Sequence, residues 1–121
     1  MKKSMILNKL LSALNVLKHE VIVVEGQHDK SSLLKLGLKN IFVLNKPGAS
    51  FYSRIEALEK LAKKKKCAIL TDLDKKGNFL YSAIKRNLVR EGVKIDDNLR
   101  GLLRKAKISH IEGLASYLLK S

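Results

Sequence analysis

Two carboxylates one residue apart, Asp72 and Asp74, follow the apolar run Cys67-Ala68-Ile69-Leu70-Thr71 and precede Lys75-Lys76-Gly77. Such a run, bounded by a polar loop containing glycine, predicts a strand buried on both faces, as inside a parallel sheet. Side chains two apart on extended chain point the same way, roughly 6 to 7 Å apart, so the two carboxylates converge while Leu73 turns aside. Charges that close repel each other, and a hard divalent cation with oxygen ligands relieves them, Mg²⁺ before Zn²⁺. The competing reading has one Asp capping the next helix and the other solvated. A second acidic signal, Glu25, closes the strand Val21–Val24 and leads through Gly26-Gln27-His28 to Asp29. A carboxylate at the carboxyl end of a buried strand, before a turn into a helix, sits where open α/β sheets hold ligands.

The elements that must position these residues alternate along the chain. Apolar residues Ile6, Leu7, Leu10, Leu11, Leu14 and Leu17 predict an amphipathic helix over 4–18 that covers a sheet face. After the first strand, Asp29 is the expected N-cap of a helix Lys30–Leu36 that stops at Gly37. Ile41–Leu44 predicts a second strand, and Asn45-Lys46-Pro47-Gly48-Ala49-Ser50 a loop whose amides could face a phosphate. Ser53 and Glu56 suit a capping box for a helix with Ile55, Leu58, Leu61 and Ala62 inward. That helix ends in Lys63–Lys66, cations suited to the negative end of its dipole. Past the acidic pair, a helix Phe79–Arg90 turns Leu80, Ala83, Ile84 and Leu88 inward and Lys85, Arg86 and Arg90 outward. Val93–Ile95 is a short fourth strand. Asp96, Asp97 and Asn98 then open a helix with Leu99, Leu102, Leu103 and Ala106 inside and Arg100, Arg104 and Lys107 outside. The expected fold is α/β, a Rossmann-type sheet of about four mainly parallel strands sandwiched between helices, with an N-terminal helical segment 1–20 packed on a domain 21–121. Right-handed crossovers bring the ends of the first and third strands to one edge, where Glu25, Asp72 and Asp74 meet.

Composition bounds the partners. The chain has 121 residues, with 25 Lys and Arg against 11 Asp and Glu, a net charge of +14. An excess of that size favours a polyanion, and nucleic acid is the commonest one inside cells. The one cysteine, Cys67, lies within a buried strand and fits a reducing cytoplasm. Asn8, Lys9 and Asn15 interrupt the apolar N-terminal stretch, so it reads neither as a signal peptide nor as a membrane span. His28 and His110 lack Cys or His partners at ligand spacing, which argues against zinc. Phe51, Tyr52 and Phe79 border the acidic edge, and base stacking or helix packing would each explain them.

These residues resemble the Toprim domain of topoisomerases and bacterial primases. The likeness lies in Glu25-Gly26-x-x-Asp29, Gly37, the second strand leading to Asn45 and Gly48-Ala49-Ser50, and Asp72-x-Asp74-x-x-Gly77, in order over most of residues 21–113. At this size the chain is similar to the standalone Toprim proteins, a group that also resembles the ribonuclease trimming precursor 5S ribosomal RNA. The resemblance implies that Asp72 and Asp74, joined by Glu25, hold Mg²⁺, with Mn²⁺ as a substitute, that Glu25 also acts as general acid or base, and that Gly26, Asp29, Gly48 and Gly77 support the site. Lys30, Lys46, Lys75 and Lys76 share the edge and could hold flanking phosphates. The expected function is a Mg²⁺-dependent nuclease acting on structured RNA, with ribosomal RNA maturation in view, or on DNA. The alternative is a metal-binding nucleic-acid adaptor that works with a partner protein. A homodimer also stays open.

Overall fold

Four short β-branched and aliphatic runs become strands, each followed by a segment with helical periodicity. The computed structural model describes residues 2–120, with strands β1 (Val21–Val24), β2 (Ile41–Val43), β3 (Lys66–Ile69) and β4 (Lys94–Ile95). Its helices are α1 (Lys2–Leu17), α2 (Gln27–Lys35), α3 (Phe51–Ala62), α4 (Lys75–Arg90), α5 (Asn98–Lys105) and α6 (Ile111–Leu119). Residues 1 and 121, the outer ends of the expected segments 1–20 and 21–121, lie outside the described residues.

The expected α/β fold is what forms: a four-stranded sheet, order β2-β1-β3-β4, with every pairing parallel and helices on both faces. Because both faces are covered, β1 is buried along its whole length, and the two-residue period divides its side chains. Ile22 and Val24 join Ala68 and Leu70 in a core closed by α1, α2, α5 and α6. Val21 and Val23 join Cys67 and Ile69 in a second core closed by α3 and α4. The chain moves from β1 outward to β2, returns across β1 to β3, then moves outward to β4. Strand order therefore reverses between β1 and β3, where α2 and α4 leave to opposite faces, the place beyond the carboxyl ends at which open α/β sheets hold ligands.

Several local expectations are corrected. Asp29 is not an N-cap: α2 starts at Gln27 with Gly26 as its cap, and Asp29 is its third residue, reaching back to accept the Gly26 N–H at 3.0 Å. Ser50, rather than Ser53, caps α3, its Oγ accepting from Ser53 N–H at 3.0 Å. The helix after the acidic pair begins at Lys75, four residues earlier than its apolar pattern indicates, because Asp74 caps it. Leu11 and Leu61 are half exposed, so the inward stripes of α1 and α3 are narrower than their apolar count. Lys66 opens β3 instead of ending α3, and Gly37 stops α2 in the left-handed region, φ +87°. Among the described residues no helix is long and apolar enough to cross a membrane.

Candidate functional site

The two central strands deliver the acidic residues to one rim. Leu70 N–H donates to the Val23 carbonyl at 2.8 Å, continuing the β1–β3 ladder. At the next rung the side chain of Glu25 replaces a carbonyl: Asp72 N–H donates to Glu25 Oε2 at 2.8 Å. Glu25 is thus fixed against the backbone of the residue expected to share its site. Its own carbonyl accepts from Asn45 N–H at 3.0 Å, which ties the β2 end to the same rim.

Asp72 and Asp74 each spend one oxygen on a helix start. Asp72 Oδ1 accepts the Ile111 N–H at 2.9 Å, at the first residue of α6, and Asp74 Oδ1 accepts the Gly77 N–H at 2.7 Å. Capping and ligation are not exclusive, since a carboxylate carries two oxygens. Asp74 Oδ2 lies 3.6 Å from His110 Nε2, and His110 Nδ1 pairs with Ser109 Oγ at 2.9 Å. The Ser109 carbonyl accepts from Leu73 N–H at 2.7 Å, which clamps the loop before α6 onto the loop after β3. One ligand atom from each of Asp72, Asp74 and His110 then falls within 4.8 Å of the others. Two carboxylate oxygens and an imidazole nitrogen at that spacing form a donor set that one divalent cation can bridge. Glu25, expected among the ligands, stands beside this group rather than within it, its Oε2 taken up by the Asp72 N–H. Asp29, one turn away, has its pKa raised by burial first, against the pull of the Gly26 N–H, and then by the charges of Asp72, Glu25 and Glu112. That mutual repulsion is what a bound cation would relieve.

Gly77 has a steric reason. A Cβ there would lie 1.9 Å from the Asp72 carbonyl oxygen, so only glycine lets the start of α4 press against the end of β3. Buried Thr71 fastens the contact, its Oγ1 donating to the Gly77 carbonyl at 2.7 Å. Gly26, by contrast, is extended, and a Cβ would meet nothing nearer than 4.0 Å.

Arg100, expected on the outer face of its helix, is 3% exposed. Nη1 donates to the Thr71 carbonyl at 2.7 Å and to the Ile69 carbonyl at 3.3 Å, and Nη2 donates to the Asp72 carbonyl at 3.1 Å and Asn78 Oδ1 at 2.9 Å. Its guanidinium carbon lies 4.3 Å from the Tyr81 ring centroid. Burial lowers its pKa from the usual arginine value. It gathers the last carbonyls of β3 directly behind Asp72. Lys85, also expected outward, is half buried and pairs with Asp97 at 2.9 Å.

The four expected phosphate-contacting lysines lie on segments that follow strand ends: Lys30 in the first turn of α2, Lys46 in the β2–α3 loop, and Lys75 and Lys76 in the first turn of α4. Lys46, Lys75 and Lys76 are exposed and Lys30 is half buried. His28 is exposed in the first turn of α2. Phe51, Tyr52 and Phe79 are 43%, 75% and 72% exposed, which rules out helix packing as the reason for the last two.

No family model matches the chain. Its sequence is similar to a UPF0292 protein of Methanocaldococcus jannaschii, 31% identical over 99% of this chain and 98% of the relative. A UPF0292 protein of Methanosarcina acetivorans is 32% identical over 85% of this chain and 72% of its own length. One from Thermoplasma volcanium is 34% identical over 69% of each. A solved structure of a protein from Aquifex aeolicus superposes with a TM-score of 0.70 at 33% identity, covering 91% of this chain and 95% of that one.

Proposed function

The chain belongs to the UPF0292 family, and from that premise we propose that it is a Toprim-type, Mg²⁺-dependent nuclease that cleaves phosphodiester bonds in structured RNA or DNA. The observation that carries the reading is the contact at the switch point, Glu25 Oε2 against Asp72 N–H, with Asp74 two residues on. Asp72 and Asp74 would hold Mg²⁺, or Mn²⁺ in its place given the imidazole of His110, and the ion would supply Lewis-acid stabilisation of charge on the phosphoryl oxygens. Glu25, held beside that position, transfers the proton of the entering or leaving oxygen. Lys46, Lys75 and Lys76 neutralise flanking phosphates, with Lys30 behind them. Arg100, Thr71 and Gly77 are positioning residues that keep the Asp72 backbone fixed while charge develops. The net charge of +14 and a buried cysteine accord with a nucleic-acid partner in the cytoplasm.

A second reading, a metal-binding nucleic-acid adaptor, is favoured by one observation. Glu25, Asp72 and Asp74 each already accept a backbone N–H, which leaves fewer free lone pairs for chemistry. Incubation of labelled structured RNA and duplex DNA with Mg²⁺ or with chelator separates the two. Cleavage that falls about 10²- to 10³-fold or more in chelator and in Asp72→Ala/Asp74→Ala supports the nuclease. Binding without cleavage under every condition supports the adaptor.

A further inference from the structure

A cleft of about 460 Å³ lies beside the acidic rim, lined by Gln27, Leu44, Asn45, Lys46, Pro47 and Phe51. It touches the rim directly, because Gly26 also lines it and Asn45 N–H is the donor to the Glu25 carbonyl. We propose that this cleft receives one unpaired nucleobase of a nucleic-acid strand, next to the phosphate handled at the acidic rim. The inference rests on the preceding reading that the ligand is a nucleic acid, and adds that the strand is unpaired at this nucleotide.

The lining has the chemistry of a base site. Pro47 and Phe51 offer apolar surface to a flat ring, and Phe51, at the first position of α3, stays 43% exposed. Gln27 and Asn45 carry side-chain amides, each both donor and acceptor, as the edge of a base requires. Lys46 supplies a cation for the attached phosphate. Among the described residues the side chains of Gln27, Asn45 and Lys46 have no hydrogen-bond or ion-pair partner. The floor is stiff: Arg54 donates to the Val43 and Leu44 carbonyls and its guanidinium carbon lies 4.1 Å from the Phe42 ring centroid. Gly48, in the left-handed region at φ +80°, turns the loop around the opening. A base still stacked in a duplex has neither face free, so the cleft selects unpaired nucleotides.

The test uses single-stranded RNA and DNA oligonucleotides carrying one 2-aminopurine, in chelator so that nothing is cut. Saturating protein is expected to quench the fluorescence as the base stacks, whereas the same base within a full duplex gives no change on binding. Phe51→Ala, at an exposed position, is expected to abolish the quench and weaken strand binding at least about fivefold, with an unchanged melting curve. Saturated binding without quenching, quenching by Phe51→Ala equal to wild type, or no strand binding at all overturns the subsite. Quenching without Mg²⁺-dependent cleavage would leave the subsite standing and remove the nuclease. Cleavage with no quench would do the reverse, and the RNA and DNA arms show which strand is preferred.

Discussion

At the carboxyl rim of the sheet, Glu25, Asp29, Asp72 and Asp74 accept backbone N–H groups from Asp72, Gly26, Ile111 and Gly77, all within 3.0 Å. At the amino rim, Glu20 is 5% exposed, and its Oε1 has no hydrogen-bond partner among the described residues. Burial first, then the hydrogen bond to Asp96 and its charge, push the Glu20 pKa up to about 7, against the pull of Lys66. The contrast follows from the direction of the chain. In a parallel α/β sheet helices begin at the carboxyl rim, so α2, α4 and α6 turn unpaired N–H groups and the positive ends of their dipoles toward the acids there. At the amino rim helices end, no helix-start donors face Glu20 among the described residues, and the buried carboxylate holds its proton to a higher pH. The same residue type is therefore held by backbone donors at one rim and pushed toward its protonated form at the other.

The largest expected effect is on the tight packing behind the carboxyl rim. Gly77→Ala would set a methyl group against the Asp72 carbonyl and force α4 away from β3. We expect a loss of about 3 kcal/mol in chemical denaturation, together with weaker divalent-ion uptake by calorimetry. Gly101→Ala supplies the opposite sign. Nothing lies within 4 Å of its added Cβ in the middle of α5, so helix propensity should raise stability by roughly 0.5–1 kcal/mol. Equal effects at the two glycines would show that backbone crowding does not hold the rim.

What could be read from the sequence tracks how local the controlling physics is. β1, β2 and β3 appear as apolar runs because a strand covered on both faces has little polar side to display, whereas the edge strand β4 shows only as the alternation Val93-Lys94-Ile95, with Lys94 exposed. The meeting of Glu25 with Asp72 follows from strand ends and crossover rules alone. Gly77 stood out in the motif, but its contact with the Asp72 carbonyl is not encoded in any spacing. Periodicity places Arg100 outward because it treats a charge as solvated. Its burial depends on carbonyls 28 to 31 residues earlier in the chain, at the end of β3. His110 joins Asp74 only because the loop before α6 folds back onto Leu73. Ser53 suits a cap by residue type and spacing, and tertiary placement of the α3 start gives that role to Ser50 instead.

The amino rim makes the next prediction, one of pH. Glu20 is raised from 4.5 when unfolded to about 7 when folded, so the folded state binds the proton more tightly. Its contribution is fully present below about pH 4.5 and is lost as pH rises through about 7. Between about pH 5 and pH 8 the wild type should lose stability on the order of 2 kcal/mol through this group. Glu20→Gln, whose amide can donate to Asp96 at any pH, should remove that slope and be the more stable protein at about pH 8. Cys67 does not interfere in this range, since burial and then the Glu20 charge push its thiol up to about 12. A slope unchanged in Glu20→Gln would mean that the amino rim is wetter than its burial indicates.

The smallest effect belongs to a carboxylate that is neither on the carboxyl rim nor buried. Asp97 accepts from Tyr81 Oη at 2.7 Å and from Lys85 Nζ at 2.9 Å, and the two charged side chains are 42% and 41% exposed. Burial acts to raise the Asp97 pKa, but the bonds from Tyr81 and Lys85 outweigh it and hold the value below the ordinary 3.8. The stabilisation is thus present above about pH 4 and lost as pH falls through the depressed value, the reverse of Glu20. Solvent screening keeps it small, and Lys85→Met should cost no more than about 0.5 kcal/mol near neutral pH. The difference should shrink further in about 1 M salt, where the Debye length is about 3 Å. A cost near 2 kcal/mol that persists in salt would place this pair with the buried groups and erase the distinction between donor-rich, proton-holding and solvated carboxylates.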